Sequence, residues 1–288
     1  MLFKLSHVRH LVSRLLVSGI LTGSLTAALL AFGCAKTETN QAILRLAVTT
    51  STRDSGILDV LLPVFENQRQ VRVDAIAVGT GAALKLGESG DVDVILVHAR
   101  AAEAAFMAAE HGIRREDLMY NTFELLGPRE DPAGIRGMGA TEALQKIESR
   151  QKRFVSRGDQ SGTHLRERKL WQAGGDFQAW DGYLETGQGM GMTLSIADQL
   201  GAYVLCDRGT YLNFKNKIQL VPLAAQTQEL LNPYGIIVVN PKRHAKINRE
   251  LAQAFVDFAI SSEAQQSIRD YQVDGESLFY PLPIPHGD

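Results

Sequence analysis

The sequence predicts an α/β protein made of two lobes with a ligand cleft between them. Strand-like and helix-like stretches alternate from residue 43 onward, and repeated strand–helix–strand units imply a parallel sheet covered by helices. Two long apolar stretches, 118–128 and 232–240, interrupt the alternation. We interpret them as crossings between the lobes, which puts both chain ends in one lobe. One continuous doubly wound sheet is the alternative.

Composition fits this architecture and excludes several classes of function. The chain has 288 residues, 45% of them hydrophobic, and a formal net charge of -2. A chain of this length and hydrophobic content can form the cores of two lobes. Its near-neutral charge argues against a nucleic-acid partner. Its 2 cysteines form no disulfide framework. Neither a Walker motif nor a metal-ligand cluster occurs in the sequence, so we expect no cofactor and no metal.

The first 34 residues have the pattern of a secretory signal peptide. Lys4, Arg9 and Arg14 precede a long apolar run that ends in small residues. A retained membrane anchor is the alternative, because the run approaches the length of a span. Cys34 resembles the lipidated cysteine of bacterial lipoproteins, although Phe32 fits that site poorly. We therefore expect a periplasmic protein, or one held at the outer face of the cytoplasmic membrane through Cys34.

The first lobe is predicted from residues 42–122 and 233–288. Its expected elements, in order, are strand 43–48, helix 55–68, strand 71–78, helix 81–89, strand 92–97, helix 101–111 and a final helical region, 244–270.

The second lobe is predicted from residues 123–232. Its expected elements are helix 140–149, strand 153–156, helix 162–173, strand 183–186, helix 191–200, strand 202–206, helix 208–215 and strand 218–223.

The first two strand-to-helix turns carry groups that bind anions, and ligands of open α/β sheets lie at such turns. One turn has four consecutive hydroxyl residues, Thr49 to Thr52, including Thr50 and Ser51. Capping a helix requires one hydroxyl, so the excess indicates a function. The second turn has Thr80 between two glycines, which leaves the amides of Gly81 and Ala82 free to face an anion.

The third turn, in "FVSRGDQSGTH", is the most specific of the set. Arg157 offers a planar fork of donors to an oxyanion, and Asp159 is positioned to hold it by a salt bridge. Ser161, Gly162 and Thr163 add hydroxyls and amides at the start of a helix. A surface loop with an ordinary N-cap is the alternative.

The fourth turn, "ETGQGMGMTL", alternates glycines before a helix and places Met190 and Gly191 at the helix start. Two turns come from each predicted lobe, which is the arrangement of a cleft that closes over a small tetrahedral oxyanion.

These stretches resemble one known family. The segments "TTST.DSG.LD.LLP.FE", "VGTGAALKLGE.GDVDV.LVHA", "FVSRGD.SGTH", "YLETGQGMG", "DRGTYL.FK" and "NPYG" are similar to the tungstate-binding components of bacterial ABC-type tungstate importers, over residues 43 to about 280. The resemblance implies a type II periplasmic-binding-protein fold and a monomer that captures tungstate, with molybdate as the near-isostere. Delivery to a membrane permease and its ATPase is also implied.

By the family pattern, the oxyanion is contacted by the first hydroxyl turn, the "VGTGA" turn, the "SRGD.SGT" turn and the amides of the Gly-Met-Gly turn. The implied ligand-binding residues are Thr49, Thr50, Ser51, Thr80, Gly81, Ala82, Arg157, Ser161, Gly162, Thr163, Met190 and Gly191. Val48, Arg53 and Arg100 depart from the pattern, and we interpret the two arginines as solvated surface charges.

Two other functions remain open from the sequence. A phosphate- or sulfate-type binding protein would share the third turn, but a phosphate site needs a carboxylate that accepts the ligand's proton. The tungstate interpretation therefore requires Asp159 to face Arg157 or solvent. A secreted hydrolase is the other class. The sequence contains no nucleophile elbow and no His and carboxylate residues at a spacing typical of a catalytic pair. We therefore expect no catalytic residues and no enzyme activity.

Overall fold

The computed structural model describes residues 41–159, 161–175 and 177–284. The predicted signal segment and Cys34 lie outside the described residues. Strands and helices alternate through most of the described chain, as predicted. The strands are β1 (Ile43–Thr49), β2 (Arg72–Val78), β3 (Val94–Val97), β4 (Gly112–Gly127), β5 (Phe154–Ser156), β6 (Tyr183–Glu185), β7 (Val204–Asp207), β8 (Val221–Pro222), β9 (Leu231–Val239), β10 (Gln272–Val273) and β11 (Glu276–Ser277).

Several helices begin at or shortly after the carboxyl end of a strand, whereas the others follow a longer loop or another helix. They are α1 (Thr50–Asp54), α2 (Ile57–Arg69), α3 (Thr80–Glu88), α4 (Arg100–Ala108), α5 (Ala140–Ser149), α6 (Gly162–Gly174), α7 (Met190–Leu200), α8 (Arg208–Phe214), α9 (Arg249–Ala259) and α10 (Ser262–Asp270).

One 7-stranded sheet has the order β2-β1-β3-β9-β4-β7, with β8 also paired to β4. β1 is parallel to β2 and β3, whereas β9 is antiparallel to both β3 and β4. The sheet is therefore mixed, and the prediction of a parallel sheet holds only for β1, β2 and β3 and for the separate β5–β6 pair. Antiparallel pairing arises because β4 and β9 run back along the sheet instead of returning through a helix.

The two predicted crossings are long strands that pair with each other. The first half of β4 pairs with β9 and its last residues pair with β7, so β4 extends from one group of strands to the other. A parallel bridge from Phe154 to Tyr203 links β5 to the start of β7. Crossing strands that hydrogen-bond along their length hold the two groups of turns in a defined relation.

Separate clusters of buried side chains lie on the two groups of strands. One cluster packs α2 and α9 on β1, β3 and β9 around Phe65, and another packs α5 and α6 on β4 and β7 around Phe154. Leu212 of α8 belongs to the first cluster, although residues 123–232 were assigned to the second lobe. The boundaries of the lobes stay a prediction.

Three element predictions were wrong in detail. The helical region 244–270 is two helices, because Ser261 caps a new one: its hydroxyl accepts from the Ala264 amide. β4 begins at Gly112, earlier than predicted. Its charged segment from Arg114 to Asp117 has no strand-like pattern but pairs with β9, and Arg115 contacts Glu103 and Asp117. The short helix α1 and the β10–β11 hairpin were not predicted.

Candidate functional site

The first two turns emerge side by side. β1 and β2 are parallel, and Thr49 lies beside Val78 at their carboxyl ends. α3 begins directly after this edge with Gly79 as its N-cap, and no side chain caps it. A side chain built on Gly81 would meet nothing within 4 Å. The start of α3 therefore lies next to the hydroxyl turn with open space beside Gly81, and the role of its amides stays a prediction.

The four hydroxyls of the first turn divide into two kinds. Thr49 is buried, and its hydroxyl accepts from the Thr52 amide at 3.2 Å and lies 2.6 Å from the Thr52 hydroxyl. This pair caps α1, which is the structural role that the sequence left open. Thr50 and Ser51 are exposed. The hydroxyls that a ligand can reach are those of Thr50 and Ser51.

The third turn is organised by an ion pair. Arg157 Nη2 donates to Asp159 Oδ2 at 2.5 Å, and Asp159 Oδ1 accepts from the Ser161 amide at 3.1 Å. Partial burial raises the pKa of Asp159, but the bonds from Ser161 and the charge of Arg157 outweigh it and hold that pKa below its ordinary value. Asp159 therefore faces Arg157 as an anion, which is the orientation that the tungstate interpretation requires.

The same turn begins α6. The Ser161 hydroxyl accepts from the His164 amide at 3.3 Å and so forms the N-cap. Gly162 is exposed at the first helical position, and Thr163 is buried. Ser161 and His164 thus meet through a capping bond, not through the side-chain pairing that a serine nucleophile and its base would need.

The fourth turn lies beside the third because β5 and β6 are parallel. The Gly187 amide donates to the Arg157 carbonyl at 2.8 Å, and Arg157 Nε donates to the Gln188 carbonyl at 3.4 Å. α7 then begins at Met190, with Gly189 as an N-cap that lacks a side-chain bond. The Met190 side chain is buried in the core. Met190 and Gly191 therefore offer backbone amides at the start of a helix.

His98 connects the first turn to the third. Its Nε2 lies 3.4 Å from the Ser51 hydroxyl, and its Cε1 lies 3.7 Å from the position that a Cβ on Gly162 would occupy. The ring also packs against Tyr234 with centroids 4.7 Å apart. The start of α6 and the hydroxyl turn therefore both lie beside the Cε1–Nε2 edge of one imidazole.

Two buried amides fix the tautomer of His98. Asn232 Nδ2 donates to Asn121 Oδ1 at 2.8 Å, so the Asn232 Oδ1 atom accepts from His98 Nδ1–H at 3.1 Å. Burial lowers the pKa of His98, while the bond to Asn232 opposes the shift. In the neutral ring Nε2 is then an acceptor, and the Ser51 hydroxyl donates to it.

The sequence analysis did not identify His98 or Asn232 as candidate site residues. The available signal was position: His98 follows β3, whose neighbour β1 leads into the hydroxyl turn. Other predictions on charged residues fit the structure. Arg53 is exposed and pairs with Asp54 at 2.8 Å, and Arg100 is exposed and pairs with Asp117.

The long helices at the candidate site differ from the other long helices in their first turns. α3, α6 and α7 have no acidic residue there. Each of α2, α4, α5, α9 and α10 has one: Asp59, Glu103, Glu142, Glu250 and Glu263. The short helices α1 and α8 also have none, but the N-cap of α8 is the carboxylate of Asp207. An acid in the first turn stabilises a helix by neutralising its positive end. The helix starts at the candidate site are left without that neutralisation, as an anion site requires.

Comparisons with known proteins agree with this geometry. A family model for a PBP superfamily domain matches residues 35–263. A tungstate-binding protein TupA from Peptoclostridium acidaminophilum is 42% identical over 277 residues, which cover 91% of this chain and 96% of that protein. The chain belongs to the TupA family of the PBP superfamily.

Solved structures of TupA proteins extend the match to the fold. The tungstate-binding protein TupA from Desulfovibrio alaskensis G20 is 42% identical with a TM-score of 0.81, covering 84% of this chain and 99% of that one. A structure described as the tungstate ABC transporter from Geobacter sulfurreducens is 49% identical with a TM-score of 0.69, covering 80% and 98%. The resemblance and the type II periplasmic-binding-protein fold predicted from the sequence are confirmed.

Neither the TupA match nor the fold tests the individual ligand-binding residues, which stay a prediction.

Among residues 41–284, apart from 160 and 176, no helix is long and apolar enough to cross a membrane. Within the same described residues, no cluster of His, Cys, Asp and Glu is arranged to hold a metal ion. Cys206 is buried, and burial raises its pKa well above the ordinary value for a thiol.

Proposed function

We propose that this chain is an extracytoplasmic solute-binding protein that captures tungstate, and its near-isostere molybdate, between its two lobes. It hands the ion to a membrane permease driven by an ATPase. Relatives that are 42% and 36% identical are named tungstate-binding proteins. The observation that supports the proposal is the set of helix starts without a first-turn acid at α3, α6 and α7. The turns before α6 and α7 are adjacent and include Arg157, and His98 links the start of α6 to the hydroxyl turn beside α3.

The proposed contacts are mostly backbone amides. Those of Thr80, Gly81 and Ala82 come from the first lobe, and those of Gly162, Thr163, Met190 and Gly191 come from the second. The Ser161 amide donates to Asp159 instead, so Ser161 would offer its hydroxyl. Thr50 and Ser51 add hydroxyls, and Arg157 adds a charged donor. Thr49 stabilises the hydroxyl turn by capping α1. Amides held in this way cost little to reorganise when the oxyanion arrives, because the helices already orient them.

Asp159 supports tungstate over phosphate. Phosphate keeps a proton at neutral pH and needs an acceptor in its site. Both oxygens of Asp159 are occupied, one by Arg157 and the other by the Ser161 amide. A fully ionised tetrahedral dianion needs donors only, which is what the turns offer. Sulfate shares that property, so sulfate and phosphate belong in the binding test.

Calorimetry of the purified mature chain with tungstate, molybdate, sulfate and phosphate tests the proposal. We expect tight binding of tungstate or molybdate and weak binding of the other two ions. Arg157→Ala removes charge-assisted hydrogen bonds worth about 1.5–3 kcal/mol each, so affinity should fall by at least about tenfold. Arg53→Ala is the control, since Arg53 is exposed and pairs only with Asp54 among the described residues. Unchanged affinity in Arg157→Ala would remove that residue from the site.

A hydrolase is the second candidate because Ser51, His98 and Asn232 lie in the order nucleophile, base and orienting group. Two features count against it. Asn232 is neutral and gives no charge to an imidazolium, and burial lowers the pKa of His98, which makes it a weak base. Turnover of nitrophenyl acetate or nitrophenyl phosphate that disappears in Ser51→Ala would favour the enzyme.

Export, lipid attachment through Cys34, a monomeric state and the absence of a resident cofactor are parts of the same proposal. They follow from the signal-like first 34 residues and from the family pattern. Mass spectrometry of the mature N-terminus distinguishes lipidated Cys34 from simple cleavage, because the two products differ by the mass of the acyl chains.

A further inference from the structure

The charges at the proposed site do not balance those of its ligand. Tungstate carries two negative charges, whereas the positive charge of Arg157 is already compensated by Asp159 at 2.5 Å. Helix starts contribute only partial charges. Backbone donors can hold such an ion without a charged side chain, but a further positive group whose charge no carboxylate cancels would add a preference for a dianion over a monoanion.

Arg166 is such a group. It lies on α6 four residues after Gly162, so both face the same side of the helix one turn apart. Its Nη2 donates to the Leu231 carbonyl at 2.8 Å, and its Nη1 donates to the Glu229 carbonyl at 3.3 Å. The guanidinium also lies over the Phe123 ring, 5.6 Å from the centroid. Burial lowers the pKa of Arg166.

Arg166 differs from the other partly buried arginines of the described chain because it has no carboxylate partner. The others are Arg45, Arg114, Arg115, Arg157 and Arg208, and each makes an ion pair with a carboxylate. Within the described residues Arg166 makes none, and backbone carbonyls and an aromatic face hold it instead. Burying a charge that has no ion-pair partner costs free energy. The unpaired guanidinium of Arg166 therefore points to a bound ligand as its counter-ion.

Arg166 lies beside the residues that hold His98. Its Nη2 donates to the Leu231 carbonyl, and the next residue, Asn232, accepts from His98 Nδ1. The charge of Arg166 is the smallest of the causes that act on the pKa of His98, and it lowers that pKa. Asp207 acts on His98 in the opposite direction. However, both Asp207 oxygens accept bonds at 2.8 Å from Thr210, through its amide and its hydroxyl. The charge of Asp207 is thus partly neutralised at the start of α8.

We propose that Arg166 is a specificity-determining residue: its unpaired charge acts through space and makes the site prefer a tetrahedral dianion to a monoanion of similar shape. This inference rests on the proposed function of the same site. Arg157 and the amides position the oxygens, whereas Arg166 sets the charge that the site accepts. Because α6 carries both Gly162 and Arg166, one helix delivers the amides and the second charge together.

The test compares tungstate with perrhenate, a tetrahedral ion of similar shape that carries one charge fewer. Arg166→Gln keeps a donor for the backbone carbonyls but removes the charge. Since Coulomb energy is proportional to ligand charge, we expect a loss of about tenfold or more for tungstate and about threefold for perrhenate. Arg168→Gln is the matched control, because Arg168 is exposed on the same helix and should change neither affinity much.

Equal losses for both ions, or no loss for either, would overturn the inference, since damage to the fold does not depend on ligand charge. Arg166→Lys should keep most of the preference for tungstate. If Arg166→Gln does not fold, the comparison is made with Arg166→Lys and Arg166→Met. Failure of the wild-type protein to bind tungstate at all would instead refute the proposed function.

Discussion

Glu167 should make the stability of this protein depend on pH in the neutral range. It lies on α6 with only 1% of its surface exposed, and its Oε1 accepts from the Tyr183 hydroxyl at 2.9 Å and from Trp171 Nε1 at 3.3 Å. Burial raises the pKa of Glu167 from 4.5 to about 7, more than these bonds lower it. Replacement by Gln removes the titration and keeps the shape.

The sign follows from the direction of the shift. A carboxyl whose pKa is raised on folding binds its proton more tightly in the folded state, so its stabilising effect is full below 4.5 and is lost as the pH rises through about 7. A displacement of this size corresponds to about 3 kcal/mol. The wild-type chain should therefore lose up to about 3 kcal/mol of unfolding free energy between these limits, and Glu167→Gln should not.

Urea denaturation of both proteins at several pH values from 5 to about 8.5 measures this effect. The difference between the two curves isolates Glu167, because His98 titrates in both proteins and acts in the opposite direction: its lowered pKa costs stability as the pH falls below 6.5. Glu142→Gln is the control, since Glu142 is exposed in the first turn of α5. Parallel curves for the wild type and Glu167→Gln would refute the reasoning.

Two further predictions concern stability. Thr49→Val removes the cap of α1 and leaves the buried Thr52 hydroxyl without its 2.6 Å partner. The free energy of unfolding, measured by urea denaturation, should therefore fall by about 1–2 kcal/mol. An unchanged midpoint would contradict the capping role. Arg208→Met removes the 2.7 Å partner of Glu124, whose side chain is 3% exposed, and should cost about 3–5 kcal/mol. Adding Glu124→Gln should recover much of that loss, and a double variant as unstable as the single one would count against the ion pair.

Much of the fold could be predicted from the sequence because stretches of periodic apolar residues are separated by glycine-rich turns along this chain. β1, α3 and α5 appear at or within a residue of their predicted bounds. What the sequence could not show was pairing over long distances. The charged start of β4 has no strand-like pattern, yet it is stabilised as a strand by β9 and by the contacts of Arg115 with Glu103 and Asp117.

The candidate site was predictable where turn chemistry is local, and missed where it depends on the fold. Arg157 and Asp159 are two residues apart, so their pairing follows from the turn itself. His98 and Asn232 are 134 residues apart and meet only because β9 is the neighbour of β3. Arg166 was not identified from the sequence, since a sequence does not show which charges lack an ion-pair partner.

Selectivity in this site has two separate physical origins. The turns are held by internal bonds before a ligand arrives: Asp159 with Ser161, and Thr186 with the Thr193 hydroxyl at 2.8 Å and with the Gln188 amide. In the proposed site, the remaining amides would bind according to where the oxygens lie, and the arginines would respond to the charge of the ion. Tungstate and molybdate carry the same charge on the same tetrahedral frame, so charge selects the class of ion. Any choice between the two must come from how closely the lobes approach each other around it.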